Sequence, residues 1–418
     1  MEVRNNGTEK MKICYITHNL PFGTYEAFVI PEIKYIMKAG HQVTVVPLRP
    51  ESEIVHQDSN ALLEFSLKQP LCNDEIIIAA MQEIGRNPVE VAKLIMKIGK
   101  SRNFWIFIKN LAVVPKALWL TSHLRKTGIP DHIHVHWINA SATMAMITAS
   151  MLKIPWSITA HRGDIAVNNL IREKVNSCSF VRCINENGAK EIRNLIGRSD
   201  KIYILHMGVE IPNEVDFAPR KSREENAIFK ILMPANFVEV KGHIYLIQAI
   251  QLLQMQGEKV QLDLAGKGKL ELQIQQMVCQ MGLTECVHFL GEVSHSILLE
   301  KLFSGEWNCV ALSSIVTDHG EKEGIPVSLI EAMAAGVPIV STLTGGIPEL
   351  CIEGTSLLVP DKDSRALCEA LLSLMHDENK GTSMIQLGKI QVKEHFNIGS
   401  IGPQLLEKFR TSSGEDVG

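Results

Sequence analysis

Short apolar runs alternate with amphipathic stretches along most of the chain. "MKICYITHNLP" (11–21) predicts a buried strand that runs into a loop. "EAFVIPEIKYIMKAG" (26–40) has helical spacing stopped by Gly40, and "HQVTVVPL" (41–48) reads as the next strand. Strand, helix and strand within forty residues make a βαβ unit, which implies a parallel sheet. Residues 82–129 read as a helical insert. "HIHVHW" (132–137), "PWSITAH" (155–161), "FVRCI" and "KIYILHMGV" (201–209) continue as strands, with helices over 141–153 and 186–196 between them.

The pattern stops at the polar "FAPRKSREENA" (217–227), read as a linker, and restarts at "IFKILMPA" (228–235). "VQLDLAGKG" (260–268), "VHFLG", "NCVALSS" (308–314), "VPIVST" (337–342) and "SLLVP" (356–360) are the further strands of a second unit. The expected organisation is two doubly wound α/β domains, 1–215 and 216–391. A helical segment follows at 392–418, which caps the second domain or crosses back to the first. Two such domains imply a cleft between the carboxyl ends of two sheets, where open α/β folds bind ligands.

Composition narrows the class. The 418 residues suffice for two or three cores, 45% are hydrophobic, and the net charge of −4 gives no reason to expect a nucleic-acid partner. The nine cysteines include no C-x2-C pair and fit a reducing cytoplasm. The polar start "MEVRNNGTEK" does not read as a secretory signal, and the most apolar stretch, "FWIFIKNLAVVPKALWL" (104–120), is interrupted by Lys109, Pro115 and Lys116. No G-x-G-x-x-G follows the first strand and no Walker loop exists, which argues against the usual nicotinamide enzymes and P-loop proteins.

The chemistry gathers in "EKEGIPVSLIEAMAAGVPIVS" (321–341). Glu323 precedes a Gly-Ile-Pro turn, so a tight turn at a strand end can present it. Pro326 fits a helix start, where backbone N–H groups near Val327, Ser328 and Leu329 can face phosphate oxygens. Gly324 lets backbone approach closely. Glu331 lies among Leu329, Ile330, Ala332 and Met333, and a carboxylate in such a helix needs a partner. His132, His134 and His136 share one face of a strand, but one strand does not complete a tetrahedral site, so no metal is assigned.

With these segments in view, the chain resembles the retaining GT-B glycosyltransferases of glycosyltransferase family 4, and within them bacterial exopolysaccharide and capsule enzymes. The resemblance spans most of 11–410. It rests on "VEVKGHIYLIQAI" (238–250), "LDLAGKGKL" (262–270), "VHFLGEV" (287–293) and "EGIPVSLIEAMAAGVPIVST" through "GGIPEL" to "LLVPD" (323–361), with "FVIPEI", "HVHW" and "TAHRGDI" in support. It implies a GT-B fold of two Rossmann-like domains facing across a cleft. The implied reaction moves a hexosyl group from a UDP- or GDP-linked sugar to a hydroxyl of a glycan or lipid-linked glycan, with no tightly bound cofactor and no metal.

The resemblance assigns Glu323 to donor-sugar hydroxyls and the developing positive charge at the anomeric carbon, Glu331 to the ribose hydroxyls, and Lys241 to the leaving diphosphate. His161 is placed near the reacting sugar, where the departing phosphate, rather than a side-chain base, takes the acceptor's proton. Asn236 stands where the family usually has arginine. It donates a hydrogen bond without a charge, so leaving-group stabilisation is weaker or comes from elsewhere, with Arg162 as a substitute. Gly23 and Gly266 are expected beside the donor, and Tyr25 and Asp164 on the acceptor side, Asp164 orienting His161 or the acceptor. Residues 91–130 hold eight lysines and arginines and no acid, with Phe104, Trp105, Phe107 and Trp119 interspersed. That combination suits an anionic membrane surface or a lipid-linked acceptor, hence a cytoplasmic enzyme peripheral on the inner face, and equally suits ordinary solvent faces. A GT-B nucleotide-sugar epimerase and a non-catalytic nucleotide-sugar-binding protein are the alternatives; Asn236 keeps the second open.

Overall fold

The computed structural model describes residues 10–23, 26–50, 57–197, 200–211 and 227–414. It divides into two compact units, residues 1–208 with 398–418, and residues 209–397. Tyr25 and most of the expected linker lie outside the described residues.

The first unit is built on six parallel strands: β1 (Lys12–Thr17), β2 (Gln42–Pro47), β3 (His132–His136), β4 (Trp156–Ala160), β5 (Phe180–Cys183) and β6 (Ile202–Ile204). Their order is β2-β1-β3-β4-β5-β6. Four of them, β1 and β3 to β5, are buried along nearly their whole length, so that even the alternating polar residues of β3 (HIHVH) and β4 (WSITA) lie inside. Chain order reverses between β1 and β3, so the loops after those strands flank a switch point. Helix α1 (Ile30–Lys38) covers one face together with α17 (Ile398–Ser412). Gly402 makes that packing possible, because a Cβ there would lie 2.2 Å from the Tyr35 ring. Phe409 of α17 then reaches the core beside Tyr15, His132 and Phe180.

The insert between β2 and β3 is four helices, α2 (Asp74–Arg86), α3 (Pro88–Ile98), α4 (Phe104–Ala112) and α5 (Val114–Thr127). It starts at Asp74, eight residues before the expected 82. Asn73 and Asn103 cap α2 and α4 by accepting from Ile76 and Ile106 N–H. The span Phe104–Thr127 is long and apolar enough to cross a membrane by length and composition, yet it divides at Val113 and 56% of its most apolar window is buried inside the protein. Lys116 is fully buried there, donating to the carbonyls of Pro47, Leu48 and Gln69, and Trp119 is also inside. These two therefore do not belong to a solvent-facing basic surface.

The second unit has strands β7 (Phe229–Pro234), β8 (Val260–Ala265), β9 (Val287–Gly291), β10 (Cys309–Leu312), β11 (Ile339–Thr342) and β12 (Leu357–Val359), all parallel. Their order is β12-β11-β10-β7-β8-β9. The reversal falls between β7 and β10. Helices α10 (His243–Met255), α13 (Val327–Ala334), α15 (Ser364–His376) and α16 (Glu378–His395) pack around this sheet.

Candidate active site

In the second unit the predicted residues converge on the switch point. Asn236 and Lys241 follow β7, Glu323 follows β10, and Glu331 lies on α13. Lys241 Nζ meets Glu323 Oε2 at 2.6 Å, with the two side chains only 18% and 15% exposed. Ser314 Oγ lies 3.3 Å from the same carboxylate oxygen. A close, half-withdrawn ion pair of this kind holds both groups in fixed positions.

Three glycines make the arrangement possible. Gly242, with φ +63°, ends the lysine turn; a Cβ there would sit 2.1 Å from Ser313 O. The turn is fastened to the end of β10 by Ile315 N–H to Val240 O and by Ser313 Oγ to Gly242 O. Gly345 has φ +62°, and a Cβ on it would lie 1.9 Å from Glu323 O. The next N–H, of Gly346, donates to the carbonyls of Glu323 and Gly324, both at 3.2 Å. The Gly345–Gly346 turn is thus pressed onto the backbone that presents Glu323. Gly266 is close for a similar reason, since its Cβ would meet Ala235 O at 2.4 Å and Asn236 N at 3.1 Å. Asn236 itself is exposed.

Pro326 is the N-cap of α13, one position earlier than a first-turn residue. Leu329 N–H donates back to Pro326 O, so it is already engaged. Val327 and Ser328, as the first two residues of the helix, have no intrahelical acceptor and remain the donors for an anion. Glu331 is buried, and its Oε1 lies 2.7 Å from His295 Nε2. His295 begins α12 (His295–Phe303) and is the partner that a carboxylate in this helix requires.

The first unit holds a buried relay. Arg182 and Tyr15 donate to Glu32, whose Oε1 lies 3.2 Å from His136 Nε2; His136 Nδ1 lies 3.1 Å from His161 Nε2. Burial opposes charge on Glu32, yet Arg182 and then His136 beside it hold its carboxyl well below the usual range. Burial first, then His136 and Arg182, holds His161 well below the usual imidazole value, so it is neutral near pH 7. Glu32 takes the Nε2 side of His136, which leaves His136 Nδ1 facing His161 Nε2 and fixes the orientation of both rings. Glu32, His134 and His136 lie within 4.8 Å of one another. Hydrogen bonds join them to the sheet: His134 bonds Ser157 and Thr159, and the other two belong to the relay.

Glu26, next to the undescribed Tyr25, is buried and accepts from the N–H groups of His18, Asn19 and Leu20 and from Trp137 Nε1. It gathers the loop that carries Gly23 (φ +83°). Asp164 interacts with backbone N–H groups, that of His161 among them, rather than with the His161 ring. It accepts from Ile138 N–H, bracing the junction between β3 and α6 (Ala140–Leu152), and burial pushes its carboxyl up to about 8. Orientation of His161 comes instead from His136, with Trp137 and Phe28 packed on the ring at 4.2 and 5.2 Å between centroids. The Arg162 side chain lies outside what the structure describes.

Residues 214–391 match the family model for glycosyl transferases group 1. They are a glycosyl transferases group 1 domain. This glycosyltransferase domain contains Asn236, Lys241, Gly266, Glu323 and Glu331. Over the whole length, the chain is 24% identical across 414 residues to the amylovoran biosynthesis glycosyltransferase AmsK of Erwinia amylovora, covering 95% of this chain and 98% of that protein. It is 32% identical over 209 residues to a protein of Escherichia coli (strain K12) named "Putative colanic acid biosynthesis glycosyltransferase WcaL", a match that spans about half of each, 49% and 50%. The solved structure of Anabaena Alr3699/HepE in complex with UDP-glucose superposes with a TM-score of 0.69 at 16% identity, covering 96% of this chain and 100% of that one. The fold is the two-domain GT-B fold.

Proposed function

We propose that the chain transfers a hexosyl group from a UDP- or GDP-linked sugar to a hydroxyl of a glycan or lipid-linked glycan, in the assembly of an extracellular polysaccharide, with retention of configuration. The observation that carries this reading is the Lys241–Glu323 pair at the switch point of a glycosyl transferases group 1 domain, with Glu331 on the adjoining helix. Support for the substrate class comes from the names of AmsK and WcaL and from the UDP-glucose bound to HepE.

In this reading the donor competes with contacts already present. Its diphosphate draws Lys241 from Glu323, and the N–H groups of Val327 and Ser328 share the phosphate charge. Glu323, released, faces the sugar, where its negative charge favours the positive charge that develops at the anomeric carbon. Glu331 accepts from ribose hydroxyls in place of His295. His161, neutral and held by His136, hydrogen-bonds a sugar hydroxyl. The departing phosphate takes the acceptor's proton. Asn236 adds a hydrogen bond but no charge, so Lys241 is the main cation for the leaving group in the second unit.

The epimerase alternative draws no support from the relatives described above, all named as glycosyltransferases. A panel of nucleotide sugars screened by thermal shift, followed by product analysis with glycan and lipid-linked acceptors, tests the proposal. Nucleotide release with a new glycosidic product is expected. A donor that binds tightly with no turnover on any acceptor would sink it.

A further inference from the structure

A polar cavity of about 210 Å³ opens in the first unit beside the turn from α3 to α4. Lys100, Arg102, Asn168, Arg172 and Glu173 are among its lining residues. Lys100 Nζ lies 3.5 Å from Glu173 Oε1, and Arg172 donates to Leu195 O. Three cations against one carboxylate leave an excess of positive charge, the chemistry that receives a phosphate.

The neighbouring surface is unusually apolar. Phe104 and Trp105 open α4 at 67% and 72% exposure, with their rings 6.1 Å apart. Ile108 and Leu111 follow on the same outward face. Helix α2 repeats that spacing with Ile77, Ile78, Met81 and Ile84 turned outward. Among the described residues, ten of the 25 exposed large hydrophobic side chains fall within residues 77–111. Helix α3 touches both α2 and α4, which joins these faces through one helical layer.

Charge selects the occupant. Lys97, Lys100, Arg102 and Lys109 accompany the apolar face, and no acid falls between Val91 and the end of α4; of the acids before it, Asp74 and Glu75 stand at the far start of α2, Glu83 is buried and Glu90 is paired with Lys93. Lysine is depleted at protein interfaces, whereas basic residues beside outward aromatics match the phosphate and acyl layers of an anionic bilayer. We propose that α2–α4 seat the protein on an anionic bilayer, with a headgroup phosphate held by Lys100, Arg102 and Arg172 and the Phe104–Trp105 pair at the acyl boundary. This surface is independent of the donor site.

Vesicle co-sedimentation of the full chain tests it. Phosphatidylglycerol-containing vesicles should bind the protein and phosphatidylcholine vesicles should not. Trp105 is the one exposed tryptophan of the five, so brominated acyl chains should quench its emission. Lys100→Ala with Arg102→Ala should weaken binding by roughly 30-fold, from about 1 kcal/mol per cation near an anionic surface. Phe104→Ser with Trp105→Ser should leave only a weak, salt-sensitive association. Inorganic phosphate at matched ionic strength should not displace the protein from vesicles; displacement would mean that a free phosphate, not a lipid, is the ligand, and would overturn the proposal. Equal affinity for both vesicle types, or absence of binding together with self-association, would overturn it as well. Nucleotide-sugar binding should be unchanged in all four substitutions, which separates failure here from failure of the transferase reading.

Discussion

Gly345→Ala probes how the fold sets Glu323. The glycine has φ +62°, and a side chain in that region costs about 1–2 kcal/mol by itself. Its Cβ would also lie 1.9 Å from Glu323 O, 2.8 Å from its carbonyl carbon and 3.0 Å from its nitrogen, where ordinary contact begins at 3.4 Å. All three are backbone atoms, so no rotamer relieves the overlap. Glu323 must move away by more than 1 Å, a misplacement that costs on the order of 10²-fold in turnover. Gly282→Ala is the control: φ is +71°, but nothing lies within 4 Å, so it carries the conformational cost alone. Both variants are compared by thermal midpoint and by initial rate of nucleotide release. The account requires both to lose a little stability and only Gly345→Ala to lose turnover. Wild-type turnover in Gly345→Ala would refute the idea that this turn places Glu323.

Glu331→Ala should weaken donor binding by roughly 10- to 100-fold, the range for lost hydrogen bonds to a charged group, while Glu323→Ala should chiefly lower turnover; calorimetry with rate measurements separates them, and no change in either quantity removes the proposed site. Glu32→Gln leaves Arg182 as an uncompensated buried cation and should cost about 3–5 kcal/mol in urea unfolding. A stability loss within error of zero would show that the relay is not held by charge. Burial takes His132 from 6.5 down to about 3, so the folded chain keeps it neutral while the unfolded chain takes a proton below about 6.5. Its contribution is complete above pH 6.5 and is lost as pH falls toward 3, at up to about 1.4 kcal/mol per pH unit. Denaturant midpoints between pH 7 and 5 should therefore fall less steeply in His132→Gln; an unchanged slope would contradict this origin.

The two-sheet architecture was legible because buried parallel strands such as Lys12–Thr17 and Cys309–Leu312 read as short apolar runs between stretches of helical spacing. The start of the insert was not. Helix α2 turns Ile77, Ile78, Met81 and Ile84 to solvent, so its apolar periodicity carries no inside-outside signal. Lys116 looked like one of a series of surface cations, and only the carbonyls of Pro47, Leu48 and Gln69 reveal its buried role. For the proposed site, Glu323, Glu331 and Lys241 were singled out through their motifs. Their partners were hidden by distance along the chain: His295 lies 36 residues before Glu331, and Gly345 comes 22 residues after Glu323. The double glycine before "IPEL" marks a turn, but what that turn presses on depends on the tertiary fold. Glu26 stood in plain view in the loop after the first strand, yet nothing local says that it collects three backbone N–H groups.

The central claim is glycosyl transfer at the Lys241–Glu323 site. Its most direct test is NMR analysis of the product formed from the donor that the panel selects, with wild type and Glu323→Ala side by side. The account predicts a new glycosidic bond with the donor's anomeric configuration, one nucleotide released per bond formed, and loss of both in the variant. A donor sugar interconverted without a glycosidic product, or turnover unaffected by Glu323→Ala, would contradict it.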